Sequence, residues 1–310
     1  MKNNSDLDND LNTIENNYHL DYHNSRRDFL TLITLGALSI GGLTSCSSIP
    51  SKKPVIGLAL GGGAARGFAH IGVIKALESQ GIFPNLVVGT SAGSVIAALY
   101  ASGYRGTELQ KIALTLDEAA ITDWVLPFSG RFGGMIKGDA LQAMVNRLVK
   151  NQSIENMPMP LGIVGTDLQT GNGILFQRGD TGQAVRASCS IPGVFQPTII
   201  QGREYVDGGL VSPVPVRYAK QMGADIVIAV NISTEPSSQD SSGSLGILLH
   251  TTSIMGKSIN TFELDLAQVV IQPELKGMRG TDFKSRNAAI LAGEESVMKQ
   301  ISQIKNTLKM

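Results

Sequence analysis

The fold class this sequence predicts is α/β, and three observations carry the prediction. Val55 to Leu60 is an unbroken apolar run without polar alternation, the pattern of a strand covered on both faces. Glycines follow at once, and then Phe68, Ile71, Ile74 and Leu77 recur at helical spacing up to Gly81, which is placed as a helix C-terminal cap. Leu86 to Val88 begins the same succession again: a short strand, a turn through Gly89 to Gly93, and a helix running to about Ser102 and stopping at Gly103. Two strand-to-helix units in a row imply helices packed on a sheet.

The remaining elements follow in order. Residues 104–158 read mostly as helix and loop, with breaks at Phe132-Gly133-Gly134 and Lys137-Gly138-Asp139, and suggest no chemistry. Leu161 to Thr166 has the apolar run of another buried strand, with Gly173 to Phe176 as a partner strand. A helix is expected over Asp180 to Ser188, ending before Ile191-Pro192. Arg203 to Val206 leads as a strand into Asp207-Gly208-Gly209, a turn signal. Asp225 to Val230 is a further apolar strand, followed by a polar Ser-rich loop over Thr234 to Ser244. A helical stretch over Leu245 to Leu266, a strand near Val269 to Ile271 and a C-terminal helix complete the chain.

The ends differ in kind. A chain of 310 residues, 42% hydrophobic and 17% charged, is ordinary for one globular domain with a sizeable core. Its first 45 residues read instead as a targeting segment: a polar Asn- and Asp-rich stretch, then Ser25-Arg26-Arg27-Asp28-Phe29-Leu30, then an apolar run ending at Leu43-Thr44-Ser45-Cys46. The Arg pair before Phe-Leu resembles a twin-arginine export signal, and Leu43 to Cys46 resembles a bacterial lipobox, which would leave Cys46 acylated at a new N-terminus. Residues 1–28 carry six acidic side chains against Lys2, Arg26 and Arg27, so the usual basic region is missing and the Arg pair must carry the signal. An uncleaved signal anchor is the alternative, and it too attaches the chain to a membrane. The expected organisation is a signal peptide over 1–45, a polar tether over 46–54 and one domain over 55–310, with its motifs within 55–232. Ser47 after Cys46 suggests, by resemblance to Gram-negative sorting rules, the periplasmic face of an outer membrane rather than an inner one. Processing would leave 23 basic and 20 acidic residues, a balance too even to argue for nucleic acid. It would also leave Cys189 as the single other cysteine, without an intramolecular disulfide partner.

Three motifs carry chemistry. Gly89-Thr90-Ser91-Ala92-Gly93 fits a nucleophile elbow, in which a serine on a sharp strand-to-helix turn is held out for attack and flanking glycines avoid collisions; a tight turn with a capping serine is the bland alternative. Gly61-Gly62-Gly63-Ala64-Ala65-Arg66-Gly67 fails as a dinucleotide fingerprint, having Arg66 at the sixth position, and fails as a P-loop, having no Gly-Lys-Ser/Thr. What remains is a row of backbone N–H groups at a helix N-terminus, able to hold an anion such as a tetrahedral oxyanion, or else a turn needed only for packing. Serine needs a base, and the chain beyond residue 45 has only His70 and His250, neither in a turn. Asp207 is the best-placed carboxylate, because Gly208 and Gly209 let it project from its strand. An aspartate bonding its own turn is the competing use.

In this order, each at a strand end, the three motifs resemble the patatin-like phospholipase family: a glycine-rich loop with a basic residue, Gly-x-Ser-x-Gly, and Asp-Gly-Ala/Gly. The segments Ala69 to Val73, Arg186 to Gly193 and Gly223-Ala224-Asp225 look like its bacterial branch. The resemblance implies a three-layer α/β/α sandwich around a mainly parallel sheet and a Ser-Asp dyad without histidine. It further implies cofactor- and metal-independent acyl-ester hydrolysis, and membrane glycerolipids or lysophospholipids as substrates. Ser91 is then the nucleophile and Asp207 the proton acceptor, Gly89 and Gly93 form the elbow, and Gly208 and Gly209 the aspartate turn. Gly61, Gly62, Gly63, Ala64 and Arg66 make up the oxyanion loop, in which an extra alanine separates the glycines from the arginine and leaves open which two amides act. Arg66 is expected either to orient this loop or to meet a lipid phosphate. Ile191, Val194 and Phe195, freed by the Ile191-Pro192 bend, could line an acyl pocket, although core packing is the commoner use of each.

Two rival readings stand beside this one. Ser91, Asp207 and His250 occur in the chain order of an α/β-hydrolase triad, but the elbow follows only the second predicted strand. A lipoprotein that binds a lipid or a partner without catalysis would use the glycines structurally.

Overall fold

The computed structural model describes residues 53–115, 136–233 and 243–310. They belong to one compact unit, Lys52–Met310. Arg26, Arg27 and Cys46 lie outside the described residues, as do the breaks at Phe132-Gly133-Gly134 and most of the Ser-rich loop.

The chain forms a mixed α/β domain. Eight strands make one sheet: β1 Ile56–Leu60, β2 Leu86–Thr90, β3 Leu161–Asp167, β4 Gly173–Phe176, β5 Thr198–Ile200, β6 Arg203–Asp207, β7 Ile226–Val230 and β8 Val269–Ile271. Their order is β5-β6-β3-β2-β1-β7-β8, with β4 also paired to β3. The central pairings β3-β2-β1-β7-β8 are parallel, whereas β4, β5 and β6 run antiparallel to their partners. The helices are α1 Phe68–Ser79, α2 Ala92–Ala101, α3 Gly106–Thr115, α4 Asp139–Leu148, α5 Thr181–Ser188, α6 Val216–Gln221, α7 Gly243–Leu264, α8 Arg286–Lys299 and α9 Ile301–Leu308.

The unbroken apolar run of β1 has a direct cause. Alternate side chains of a strand point to opposite faces. Leu58 and Leu60 enter one hydrophobic cluster with α1 and α2, while Ala59 enters another with α6. Both faces are therefore covered, and each fully buried leucine contributes about 1.5–3 kcal/mol. On the outer side α1 and α8 approach closely through two glycines: a Cβ on Gly72 would sit 1.8 Å from Ile290 O, and one on Gly293 would sit 2.1 Å from Ala69 O.

Strand register sets up the site. Thr90, the last residue of β2, pairs with Val164 of β3. Asp207, the last residue of β6, pairs with Gly165, the next residue of β3. One central strand thus brings the ends of β2 and β6 together, though they lie more than 100 residues apart in sequence. Two features differ from the expectation: β5 and α6 were not anticipated, and the C-terminal helix is two helices, α8 and α9.

Candidate active site

Ser91 lies between the end of β2 and the start of α2 with φ 52° and ψ −126°, a left-handed conformation that a non-glycine residue adopts only when its surroundings enforce it. The flanking glycines make the turn possible. A Cβ on Gly89 would lie 2.4 Å from Gly93 O, and one on Gly93 would lie 2.2 Å from Leu60 O. The Ser91 N–H donates to Ser188 Oγ at 2.9 Å, and that hydroxyl donates to Val164 O at 2.6 Å. Ser94 Oγ donates to Ser91 O at 2.6 Å. The elbow is therefore tied to α5, to β3 and to its own helix.

Ser91 Oγ donates to Asp207 Oδ2 at 2.7 Å. The other carboxylate oxygen, Oδ1, accepts the Gly209 N–H at 2.7 Å, so the local turn bond and the contact to serine coexist on one side chain. Around it, Asp207 N donates to Ser190 O at 3.0 Å and Thr166 Oγ1 donates to Asp207 O at 2.8 Å. Gly208 is tightly enclosed, since a Cβ there would lie 2.2 Å from Val164 O. Burial pushes the Asp207 carboxyl up from 3.8 to about 6, against the opposing pull of the bonds from Ser91 and Gly209. Cys189 is buried close by, with its Sγ 3.9 Å from Ser94 Oγ. Burial first, and the Asp207 charge second, push its thiol up, which keeps it in the unreactive protonated form.

The glycine loop passes beside the serine: a Cβ on Gly62 would lie 3.2 Å from Ser91 Cβ. Its amides are not equivalent. Gly61 N donates to Val230 O at 3.1 Å, Gly62 N to Pro213 O at 2.9 Å and Arg66 N to Gly63 O at 3.1 Å. Of the loop residues expected to donate, Gly61 and Gly62 are thus already committed to the fold. The N–H groups of Gly63 and Ala64 have no hydrogen-bond acceptor among the described residues. Ala64 has φ 49° and opens a short 3-10 turn, Ala64–Gly67, so both amides stand at a helical N-terminus. Arg66 is buried and its guanidinium donates to four carbonyls, those of Ile232, Leu275, Met278 and Ser233, at 2.7–3.1 Å. Of its two expected uses, this geometry is that of orienting the loop.

One residue that the sequence sets aside as a base supports the loop instead. His70, on α1, is fully buried, and its Nε2 lies 2.8 Å from Gly61 O. Burial lowers it from 6.5 to about 4, so it is neutral, and Nε2–H donates to the carbonyl that leads into the loop. Its helical spacing, beside the core face, accords with the burial, but the bond back to Gly61, nine residues earlier, leaves no mark in the sequence. His250 lies on α7, and no hydrogen bond joins it to Ser91 or Asp207 among the described residues.

Beside the elbow and the loop lies a narrow apolar slot of about 60 Å³, lined by residues including Ala64, Phe68, Ala92, Leu99, Leu109 and Leu148. Two of its walls, Ala64 and Ala92, belong to the loop and to the residue that follows Ser91. Ile191, Val194 and Phe195 are not among its walls; Val194 and Phe195 are packed into the protein, the use expected of each singly.

Fold and site together define the class: an α/β protein with a serine on an elbow at the end of a parallel strand, bonded directly to a buried carboxylate. The model of the patatin-like phospholipase family matches residues 58–220, more than half of the chain, and the chain belongs to that family. It is similar to an uncharacterised NTE family protein of Mycobacterium tuberculosis, at 38% identity over 183 residues, 59% of this chain and 50% of the relative. It is 34% identical over 184 residues to patatin-like phospholipase domain-containing protein 6 of Homo sapiens, covering 58% of this chain and 13% of that one. The chain thus spans half or less of the length of these relatives. In fold it is similar to VipD from Legionella pneumophila, with a TM-score of 0.50 at 15% identity over 81% of this chain and 67% of that one.

Proposed function

We propose that the chain is a lipid acyl hydrolase in which Ser91 and Asp207 carry the whole proton transfer. The observation that supports this best is the 2.7 Å bond from Ser91 Oγ to Asp207 Oδ2, with no group between them. Ser91 Oγ attacks the ester carbonyl carbon while its proton passes to Asp207 Oδ2. The carbonyl oxygen becomes an oxyanion facing the open amides of Gly63 and Ala64. Collapse breaks the bond to the alcohol oxygen, which takes the proton from Asp207 and leaves. Water then repeats the cycle on the acyl-enzyme, restoring Ser91 and releasing the fatty acid. The apolar slot takes the start of the acyl chain: since one water needs about 10–15 Å³ of such space, roughly four to six water-sized units fit in it. Ser91→Ala and Asp207→Asn should each remove nearly all esterase activity, and the double variant should be little worse, because paired groups act as one unit. An active Asp207→Asn variant together with an inactive His250→Ala variant would sink the dyad in favour of a triad.

Export and anchoring belong to the same proposal. Arg26-Arg27 and Leu43 to Cys46 support a twin-arginine lipoprotein whose Cys46 is acylated, facing the periplasm from an envelope membrane, the outer one by its Ser47. Arg26→Lys with Arg27→Lys should trap the precursor inside the cell, and mass spectrometry should find acyl chains on Cys46. Normal export of the double-lysine protein, or a processed chain with an unmodified Cys46, ends this part of the reading.

A further inference from the structure

Helix α7 carries an exposed surface that the site does not use. Its buried residues are Gly256, Asn260 and Glu263. Asn260 Oδ1 accepts the Val214 N–H, Asn260 Nδ2 donates to Ser233 Oγ, and Glu263 Oε1 accepts from Ser212 Oγ. A Cβ on Gly256 would lie 3.5 Å from Pro213. This end of the helix is therefore seated on the loop that also receives the Gly62 N–H and the Thr90 hydroxyl, through Pro213 O and Ser212 O.

Ser233 already lies beyond the end of β7, on the catalytic edge of the sheet. The thirteen residues Gly243–Met255 continue past that level, about 20 Å of helix at 1.5 Å per residue, without one fully buried side chain. One flank of this stretch touches the loop after α5, where a Cβ on Gly193 would meet Leu245 and, at the edge of the exposed arc, Leu248 at 2.9 and 3.1 Å.

The outer side is apolar. Ile247, Leu248, Ile254, Met255 and Phe262 are all exposed, Phe262 by 76% and Ile247 by 57%. At 3.6 residues per turn they fall in one arc of about 120°, with Ser244, Thr251 and Ser258 between them, opposite the buried Gly256, Asn260 and Glu263. The only Asp, Glu, Lys or Arg in the helix are Lys257, outside that arc, and the buried Glu263. No helix of the described residues is long and apolar enough to cross a membrane.

We propose that this face of α7 is a docking surface for a lipid bilayer, lying in the headgroup boundary and holding the catalytic edge against the membrane; the proposal rests on the reading of the substrate as a membrane lipid. Aliphatic and aromatic groups interleaved with hydroxyls suit the boundary between acyl chains and headgroups, where a helix binds by its apolar area. The face adjoins the catalytic edge, which a membrane-borne substrate has to reach, and a second copy of the chain seated on it would show as a dimer. Because the arc carries no formal charge, binding draws nothing from anionic lipid. It should be equally strong on zwitterionic and anionic vesicles and insensitive to salt.

The test uses the chain from Ser47 onward, which holds the whole compact unit Lys52–Met310, so that neither an acyl anchor nor the apolar run before Cys46 contributes. Phosphatidylcholine vesicles should bind this protein and slow hydrogen exchange over residues 243–255. Ile247→Ser with Ile254→Ser should weaken vesicle binding roughly 100-fold, about tenfold per side chain withdrawn from the boundary. Hydrolysis of a soluble short-chain ester should stay within twofold. Unchanged vesicle binding by the double variant, or unchanged exchange over 243–255, overturns the proposal. So does a dimer by light scattering that the same substitutions dissociate, since the face would then seat a second copy. A protein that binds vesicles through α7 yet hydrolyses no ester supports the docking surface and sinks the hydrolase reading instead.

Discussion

Replacing Asp207 by asparagine should make the protein more stable and inactive at once. The substitution keeps the shape and most of the bonds: Asn Oδ1 can still accept the Gly209 N–H, and its amide can donate to Ser91 Oγ in place of the bond that runs the other way at 2.7 Å. What disappears is a buried charge. Asp207 sits at about 6 in the folded protein against 3.8 for an unburied carboxyl, a difference worth roughly 3 kcal/mol. Because the folded value is the higher one, the folded state holds the extra proton between pH 3.8 and about 6. The native side chain therefore costs little below that window, and its cost grows as pH rises through it and is constant above. At pH 8 the variant should gain about 3 kcal/mol, which in a domain of this size raises Tm by about 5–10 °C; at pH 5 the gain should be about half. Thermal unfolding of both proteins at the two pH values measures this. A lower Tm for the variant at pH 8, or a gain equal at both, would refute burial as the cause. The same value predicts activity: kcat/KM of the unsubstituted protein should fall below pH 6, reaching about a tenth of its plateau at pH 5. A profile flat down to pH 5 would mean that Asp207 is not a base raised by burial.

Further predictions concern the supports of the site. His70→Phe removes the donor to Gly61 O and leaves a buried carbonyl unpaired, so it should cost about 1–3 kcal/mol and lower kcat more than it raises KM, as steady-state kinetics beside a urea titration can show. Since burial lowers His70 to about 4, the wild-type protein should lose stability as pH falls from 6.5 towards 4, and the Phe variant should lack that loss. The two glycines after Asp207 should differ: Gly208→Ala forces a Cβ to within 2.2 Å of Val164 O and should abolish activity or folding, whereas Gly209→Ala meets only Asp207 Oδ1 at 3.0 Å and should keep most of both. Leu99→Ala enlarges the apolar slot and should shift preference towards longer acyl esters by several-fold in kcat/KM, whereas an unchanged chain-length profile would remove the slot from the site.

How much of this was legible in the sequence depends on how far apart the bonded partners lie. Ser91 and Asp207 could be singled out because each stands at a strand end beside glycines, a local signature. The loop amides could not be ranked, because the acceptors of Gly61 and Gly62, Val230 O and Pro213 O, lie 169 and 151 residues further on and carry no pattern. Ser188 could be seen in its helix, but its bond to Ser91 N joins segments 97 residues apart. The three residues of β5 are too few to show a period, and α6, six residues directly after Pro215, offers no apolar stripe. Val194 and Phe195 after the Ile191-Pro192 bend are packed, the commoner use that the sequence reading gave them. The apolar slot opens between the loop, α1, α2, α3 and α4, which only packing defines.

The energetics of the site explain why it sits on β3. Ser91 holds a strained backbone, at a cost of about 1–3 kcal/mol. Asp207 keeps a charge in a buried place at a cost of similar size. Together these are comparable with the lower end of the net stability of an ordinary domain, about 5–15 kcal/mol. Such an arrangement persists only where every alternative is more costly still. Val164 and Gly165 provide that condition: one strand pairs with the ends of both β2 and β6, Val164 O accepts the Ser188 hydroxyl that fixes the elbow, and the same carbonyl leaves Gly208 no room for a side chain. The serine cannot relax its turn without breaking the β2-β3 pairing, and the aspartate cannot swing into solvent without breaking β3-β6. The rigidity of the central sheet, more than any property of the two side chains, keeps a strained hydroxyl and a desolvated carboxylate within bonding distance.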